Sequence, residues 1–301
     1  MAITKNVSSI DTSDKPYSVS TVTSKDGTII GYRQLGHGPG LILVQGAMGS
    51  AQNFSDLAKA LSETFTVYVP DRRGRGMSPC LYRKDHTIQR DVEDLEAILS
   101  KTNAHFVFGL SSGAIISLQA STILPSIHKV AAYEPPFFVD GLPIALLERY
   151  EKEVTRGRIA AALTAAGKAV EVRPIPWFMP DWLLTFFMNR ILVSQDKQPA
   201  GEYLPLRELT VTLQYDFRIV TEMHGTLEHW RDVRADVLLL GGGRSPAYLK
   251  TDLDAVEKVL PSVRRVTFPD LDHSASWNYD PEQNPTGKPE LVAKELRKFF
   301  A

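Results

Sequence analysis

His105-Phe106-Val107-Phe108-Gly109-Leu110-Ser111-Ser112-Gly113-Ala114-Ile115-Ile116 reads as a short apolar strand, a tight turn and the start of a helix. The turn spells Gly109-x-Ser111-x-Gly113, the pattern of a nucleophile elbow, with a serine at the tip of a strand-to-helix turn. Such a turn strains the backbone of the central residue, so the positions two away must be small. Gly109 and Gly113 meet that need around Ser111, whereas centring on Ser112 would put Leu110 and Ala114 there, a worse fit. The helix that follows aims its first N–H groups at any negative charge formed at the serine.

Working outward from this turn, the chain alternates between strands and helices. Upstream, residues 17–24 alternate as a strand, Lys25-Asp26-Gly27 is a turn, and 28–35 is a second strand. Gly36-His37-Gly38-Pro39-Gly40 joins two strands rather than a strand and a helix, so it reads as a turn and not as a phosphate loop. Residues 41–44 are fully apolar, the mark of a strand buried on both faces, and 66–69 is another buried strand. The first runs into the loop 45–50 and a helix near 53–61. The second runs into Asp71-Arg72-Arg73-Gly74-Arg75-Gly76-Met77-Ser78, read as a glycine-rich structural loop with solvated charges. A helix over 86–100 places Ile88, Val92, Leu95 and Leu99 on one face and acids on the other.

Downstream, 128–133 is a strand ending in Glu134. From 137 to 234 no such alternation is evident. The segment is helical in pattern, broken by Pro143, Pro174, Pro176, Pro180 and Pro205, and dense in aromatic residues. The alternation resumes with a strand at 236–240, a helix at 249–260, a strand at 263–268 and a closing helix at 290–300. The expected fold is α/β, a mostly parallel central sheet flanked by helices and interrupted by a helical insertion. Residues 1–16 read as a loose polar tail without the apolar region of a secretory signal.

A serine hydroxyl needs a base, and the base needs a group to orient it. On this type of elbow the chain order is serine, acid, histidine, and functional groups collect at the carboxyl ends of the strands. Those rules sort the seven histidines. His105 and His128 precede their strands, and His37 and His86 precede the serine. His224 and His229 lie in the insertion at a spacing unlike that of a zinc helix. His273, in the loop after the last strand, remains as the base. The loop after strand 236–240 is Gly241-Gly242-Gly243-Arg244 and carries no carboxylate, while Asp252 and Asp254 look like the first turn of a helix. Glu134 closes an apolar strand, where a lone buried carboxylate would be costly without a partner such as His273. Glu134 is therefore the favoured acid, with Asp252, Asp254 and Asp272 as the alternatives. Oxyanion donors are expected from the backbone of Ser112 and of Ala47.

The bulk numbers narrow the field. The 301 residues, 43% hydrophobic, suffice for a large core. A net charge of −1 offers no electrostatic reason to bind nucleic acid. The single cysteine, Cys80, rules out an intrachain disulfide and permits a reducing, cytoplasmic location. No uncharged apolar segment is long enough to span a bilayer.

The loop at Gly46, the loop 71–78, the Ser111 elbow, Glu134 and His273 together resemble the α/β-hydrolase superfamily over nearly the whole chain beyond the tail. An acid in the place of Glu134 resembles haloalkane dehalogenases and fungal lactonases of the zearalenone-hydrolysing type. Dehalogenases and epoxide hydrolases use an aspartate nucleophile, and Ser111 argues against both. Gln45 departs from the family, which commonly has histidine before the glycine. The resemblance implies a core of 17–136 and 235–301 with 137–234 as a cap over the active site. It also implies a serine hydrolase that cleaves an ester or lactone through an acyl-enzyme and needs no cofactor or metal. An apolar small molecule is the expected partner, bound by Met48, Trp177, Phe178, Trp182 and Phe186; ordinary cap packing is the other reading of those aromatics. A homodimer is compatible with the sequence. Rival expectations on the same scaffold are thioester, amide or carbon–carbon bond hydrolysis, and a ligand-binding receptor with little turnover.

Overall fold

The computed structural model describes residues 16–171, 178–197, 199, 201–282 and 284–301. Its strands are β1 (Ser18–Thr23), β2 (Ile29–Gly36), β3 (Gly40–Val44), β4 (Thr66–Pro70), β5 (Phe106–Leu110), β6 (Lys129–Tyr133), β7 (Asp236–Gly242) and β8 (Val263–Phe268). They form one eight-stranded sheet in the order β1-β2-β4-β3-β5-β6-β7-β8. The pairs β1–β2 and β2–β4 are antiparallel, and every other pair is parallel.

The apolar runs are buried on both faces because successive side chains point to opposite sides. Leu41, Leu43, Phe108, Leu110, Leu238 and Leu240 face one layer, built on α1 (Ser55–Leu61) and α9 (Pro289–Phe300). Ile42, Val44, Val107, Val130, Val237 and Leu239 face the other, built on α2 (Ile88–Thr102), α3 (Ser112–Ile123) and α8 (Ala247–Val259). The sheet order brings the carboxyl ends of β3, β5, β6 and β7 side by side. That edge carries Gln45, Ser111 and Glu134.

Between β6 and β7 the chain forms α4 (Ile144–Thr155), α5 (Ile159–Ala169), α6 (Asp181–Gln195) and α7 (Leu206–Met223). Pro143, Pro180 and Pro205 each stand immediately before one of these helices, where a missing N–H costs nothing. Asp181, on α6, binds Arg149 of α4 and Lys168 of α5. The last part of the insertion reaches the sheet layer: Ile219, Val220 and Met223 of α7 and the buried Trp230 join the α2–α3 side of the core.

One reading of charge is corrected. Arg72, Arg73 and Arg75 of the loop 71–78 are not solvated, each being less than a tenth exposed. Asp91, Glu93 and Asp94 of α2 are buried too. Arg73 pairs with Asp94 and Asp26, Arg72 with Asp91, and both Arg72 and Arg75 with Asp216 of α7. Buried charges must be paired, and these four acids come from three separate places in the chain: the β1–β2 turn, α2 and α7.

Candidate active site

Ser111 stands between β5 and α3 with φ 56° and ψ −125°, a backbone conformation that costs on the order of 1–3 kcal/mol. Packing holds it there. Its N–H donates to the Tyr133 carbonyl at 2.8 Å, and its own carbonyl accepts from the Ala114 N–H at 2.8 Å. A side chain at Gly109 would run into the Gly113 carbonyl and Ser117. One at Gly113 would run into the carbonyls of Val44 and Gln45. The small residues thus allow α3 to press against β5 and β3 so closely that the serine is forced to the tip.

Glu134 follows β6 and is fully buried. Its N–H donates to the Leu240 carbonyl at 3.0 Å. One carboxylate oxygen accepts from the Gly242 N–H at 2.6 Å, and the other lies 2.7 Å from His273 Nδ1. Both oxygens are therefore occupied, as a buried carboxylate requires. The Gly241-Gly242-Gly243 loop has no acid because it serves one: it supplies that N–H. A side chain at Gly242 would collide with Leu271 in the loop that carries His273. That loop is also tied to β6 by the Tyr133 hydroxyl, which donates to the Asp272 carbonyl at 2.8 Å. With Nδ1–H donating a hydrogen bond to Glu134, Nε2 is the ring nitrogen that can accept a proton.

The other candidate acids have different work. Asp272 accepts from the Ser274 N–H at 3.0 Å, from the Ser274 hydroxyl at 2.8 Å and from the Thr286 hydroxyl at 2.9 Å. Asp254 pairs with Arg265 near the surface. Asp252 is fully buried in the middle of α8, not in its first turn. It accepts from the N–H groups of Phe137, Phe138 and Val139 at 2.8 to 2.9 Å.

Ser111 and His273 line one cavity of about 430 Å³, between the carboxyl edge of the sheet and the insertion. Ala47, Met48 and Ser112 line it too. The aromatic part of the expected pocket is corrected. Phe178, Trp182 and Phe186 are not among its walls but stand more than half exposed on and before α6. Trp177 lies outside the described residues. Helix α6 is apolar on every side, so its sequence singles out no face to point inward. The cavity is instead walled by Phe138, Tyr248, Phe217, Trp277, Leu147 and Leu213. The Phe138 and Tyr248 rings stack with centroids 4.5 Å apart.

Asp216 also reaches this cavity and was not singled out in the sequence. It accepts from Arg72 at 2.6 Å, from Arg75 at 2.5 Å and from the Ser112 hydroxyl at 2.6 Å. A signal existed: an acid set among Leu213, Tyr215, Ile219 and Val220 on one face of α7. Burial pushes the Arg72 guanidinium down, but Asp216 and Asp91 outweigh this and hold it above the ordinary arginine range.

A strained serine and a carboxylate-bound histidine lining one cavity, at the carboxyl edge of a mostly parallel sheet, define an α/β hydrolase. The chain belongs to the Alpha/beta hydrolase family, whose profile matches residues 41–284. An uncharacterised hydrolase of Bacillus subtilis, YraK, is 34% identical over 113 residues, 36% of this chain and 42% of YraK. The match thus spans less than half the length of that curated relative. An α/β hydrolase from Sphaerobacter thermophilus superposes with a TM-score of 0.74 at 29% identity, covering 94% of this chain and all of that one. The enol-lactonase of Burkholderia xenovorans shares the fold, with a TM-score of 0.66 at 16% identity over 93% of this chain and 99% of that one. Among the described residues no helix is long and apolar enough to cross a membrane.

Proposed function

We propose that this protein hydrolyses a carboxylic ester or lactone of an apolar small molecule through an acyl-enzyme on Ser111. The observation that carries the reading is the hydrogen bond between Glu134 and His273 at the wall of the cavity that Ser111 enters. His273 takes the proton of the Ser111 hydroxyl as the oxygen adds to the carbonyl carbon. Glu134 holds the ring and stabilises its charged form. The N–H groups of Ala47 and Ser112 receive the developing oxyanion. His273 then gives its proton to the leaving alkoxide, and water, activated in the same way, releases the acid.

The insertion acts as a cap that closes the cavity from above. At about 430 Å³ the cavity suits a small molecule, and its mostly apolar walls favour an apolar acyl or alcohol part. The Phe138–Tyr248 stack supports a substrate with a flat, aromatic portion, in line with the likeness of the acid's position to that in zearalenone-hydrolysing lactonases.

A panel of aryl esters and lactones, combined with a fluorophosphonate, tests the proposal. Wild-type protein should turn over at least one substrate and be labelled on Ser111. Ser111→Ala should keep its fold, lose the label and lose at least 10³-fold in kcat. Equal turnover by the two proteins would refute the covalent mechanism.

A further inference from the structure

Arg75 is almost wholly buried, and its donors are shared between three acceptors. It donates to the Gly46 carbonyl at 2.7 Å, to the Gly49 carbonyl at 2.9 Å and to Asp216 at 2.5 Å. The Gly46 carbonyl and the Ala47 N–H belong to one planar trans peptide, so they point in opposite directions. Whatever holds the carbonyl also aims the N–H. Gly46 packs directly against Ser111, where a Cβ on the glycine would come within 2.8 Å of the serine Cβ. Ala47 lines the cavity. Between the two anchored carbonyls stands Met48 with φ 59°, a left-handed conformation that a free loop would readily leave. The second proposed donor, Ser112, has its hydroxyl on the same Asp216 carboxylate.

We propose that Arg75, held by Asp216, locks the Gly46–Ala47 peptide with the Ala47 N–H facing the cavity, which makes the two charged residues positioning residues for the oxyanion donors. The inference rests on the hydrolase reading above. It also gives the insertion a part in the chemistry, because Asp216 comes from α7 while Arg75, Gly46 and Ser112 come from the sheet domain. The substrate need not touch either charge. Their effect is to remove the cost of reorienting a peptide as charge develops, so it belongs to the transition state and not to ground-state binding.

The variants are Arg75→Lys, which keeps the charge but cannot span three acceptors in a planar fork, and Asp216→Asn. Each is assayed with an ester that the wild type turns over, with active sites counted by fluorophosphonate. Losing an oxyanion donor outright costs about 10²–10³ in kcat, so a loosened donor should cost roughly 10–10²-fold per active site, with KM within about threefold. Inhibition by an aryl trifluoromethyl ketone should weaken by the same factor. Ser111 adds to its carbonyl carbon, His273 takes the proton, and the carbonyl oxygen becomes the oxyanion. A merely structural role would lower the number of active sites and leave kcat per site and inhibitor affinity unchanged, which would overturn the proposal.

A crystal structure of the wild type with that ketone decides the matter even if both variants fail to fold. The adduct oxygen should lie within hydrogen-bond distance of Ala47 N while the Gly46 carbonyl stays on Arg75. An adduct whose oxygen is held by other donors, or a reversed 46–47 peptide, overturns the inference and leaves the hydrolase reading standing. No adduct on Ser111 overturns both.

Discussion

Glu134→Gln separates charge from shape at a site where nothing else changes. One oxygen of the side chain must accept from the Gly242 N–H, so the amide nitrogen is driven to the side of His273. There it is a donor and demands an acceptor at Nδ1. The ring then carries its proton on Nε2, the wrong tautomer for taking a proton from Ser111. In a comparable triad such a change costs about four orders of magnitude in kcat. The expected loss here is on the order of 10²–10⁴ in kcat with a much smaller change in KM, read from steady-state kinetics. A loss below tenfold would remove Glu134 from the mechanism. The same logic explains why an acid could be picked out at all: a carboxylate ending an apolar strand must have a partner.

Besides the Phe138–Tyr248 stack, one carboxylate joins α8 to the turn 137–139. Asp252 caps three consecutive N–H groups, and an asparagine in its place would set an NH2 group against at least one of them. Hydrogen bonds to charged groups contribute about 1.5–3 kcal/mol, so Asp252→Asn should lower unfolding stability by about 2 kcal/mol in denaturant titrations. Its kcat should stay within a few-fold of wild type. Asp254→Asn, beside an Arg265 that keeps Glu257 as a partner, should be silent in both measurements. A collapse of kcat in the Asp252 variant without loss of stability would point back to it as the catalytic acid.

Helix α6 and the Phe138–Tyr248 pair make opposite predictions about specificity. Phe138→Ala should raise KM for bulky aryl esters more than for acetates, because the ring forms a cavity wall. Trp182→Ala, on the exposed side of α6, should leave the ratio of the two unchanged. Equal effects of the two variants on the ratio of kcat/KM values would refute this assignment of the walls.

Across the whole molecule, the buried charge network fastens the insertion to the sheet and makes stability depend on acid. Burial pushes the Asp91 carboxyl upward, but Arg72, His86 and Arg73 more than compensate and hold it at about 2. The folded state thus binds this proton less readily than the unfolded chain, whose carboxyl has the ordinary value of 3.8. Stability from this group is complete above about pH 5 and is lost as the pH falls toward 2, an amount of roughly 2 kcal/mol. Melting temperatures of wild type and Asp91→Asn should therefore differ most at neutral pH and converge only as the pH falls through about 2. A constant gap across that range would show that the Asp91 charge is not what the network uses.

The sequence by itself determined the strands, the turn at Ser111 and the chain order of the proposed serine, acid and base. Each of these follows from short-range rules: two-faced burial makes apolar runs, and a sharp turn demands glycine two positions from Ser111. Order along the chain left His273 as the proposed base, and the cost of a lone buried charge singled out Glu134, which the structure does place on His273. Only the tertiary structure decided where the three arginines go, which of α6's apolar sides is bare, and what Asp252 and Asp216 do. Those outcomes depend on partners up to 144 residues away, as Arg72 and Asp216 are. A charge in a loop carries the same local signature whether it meets water or a distant carboxylate. A helix apolar all round offers no periodicity to say which side is covered. In both cases the deciding energy, the burial of one surface against another, exists only once the chain has brought the two together.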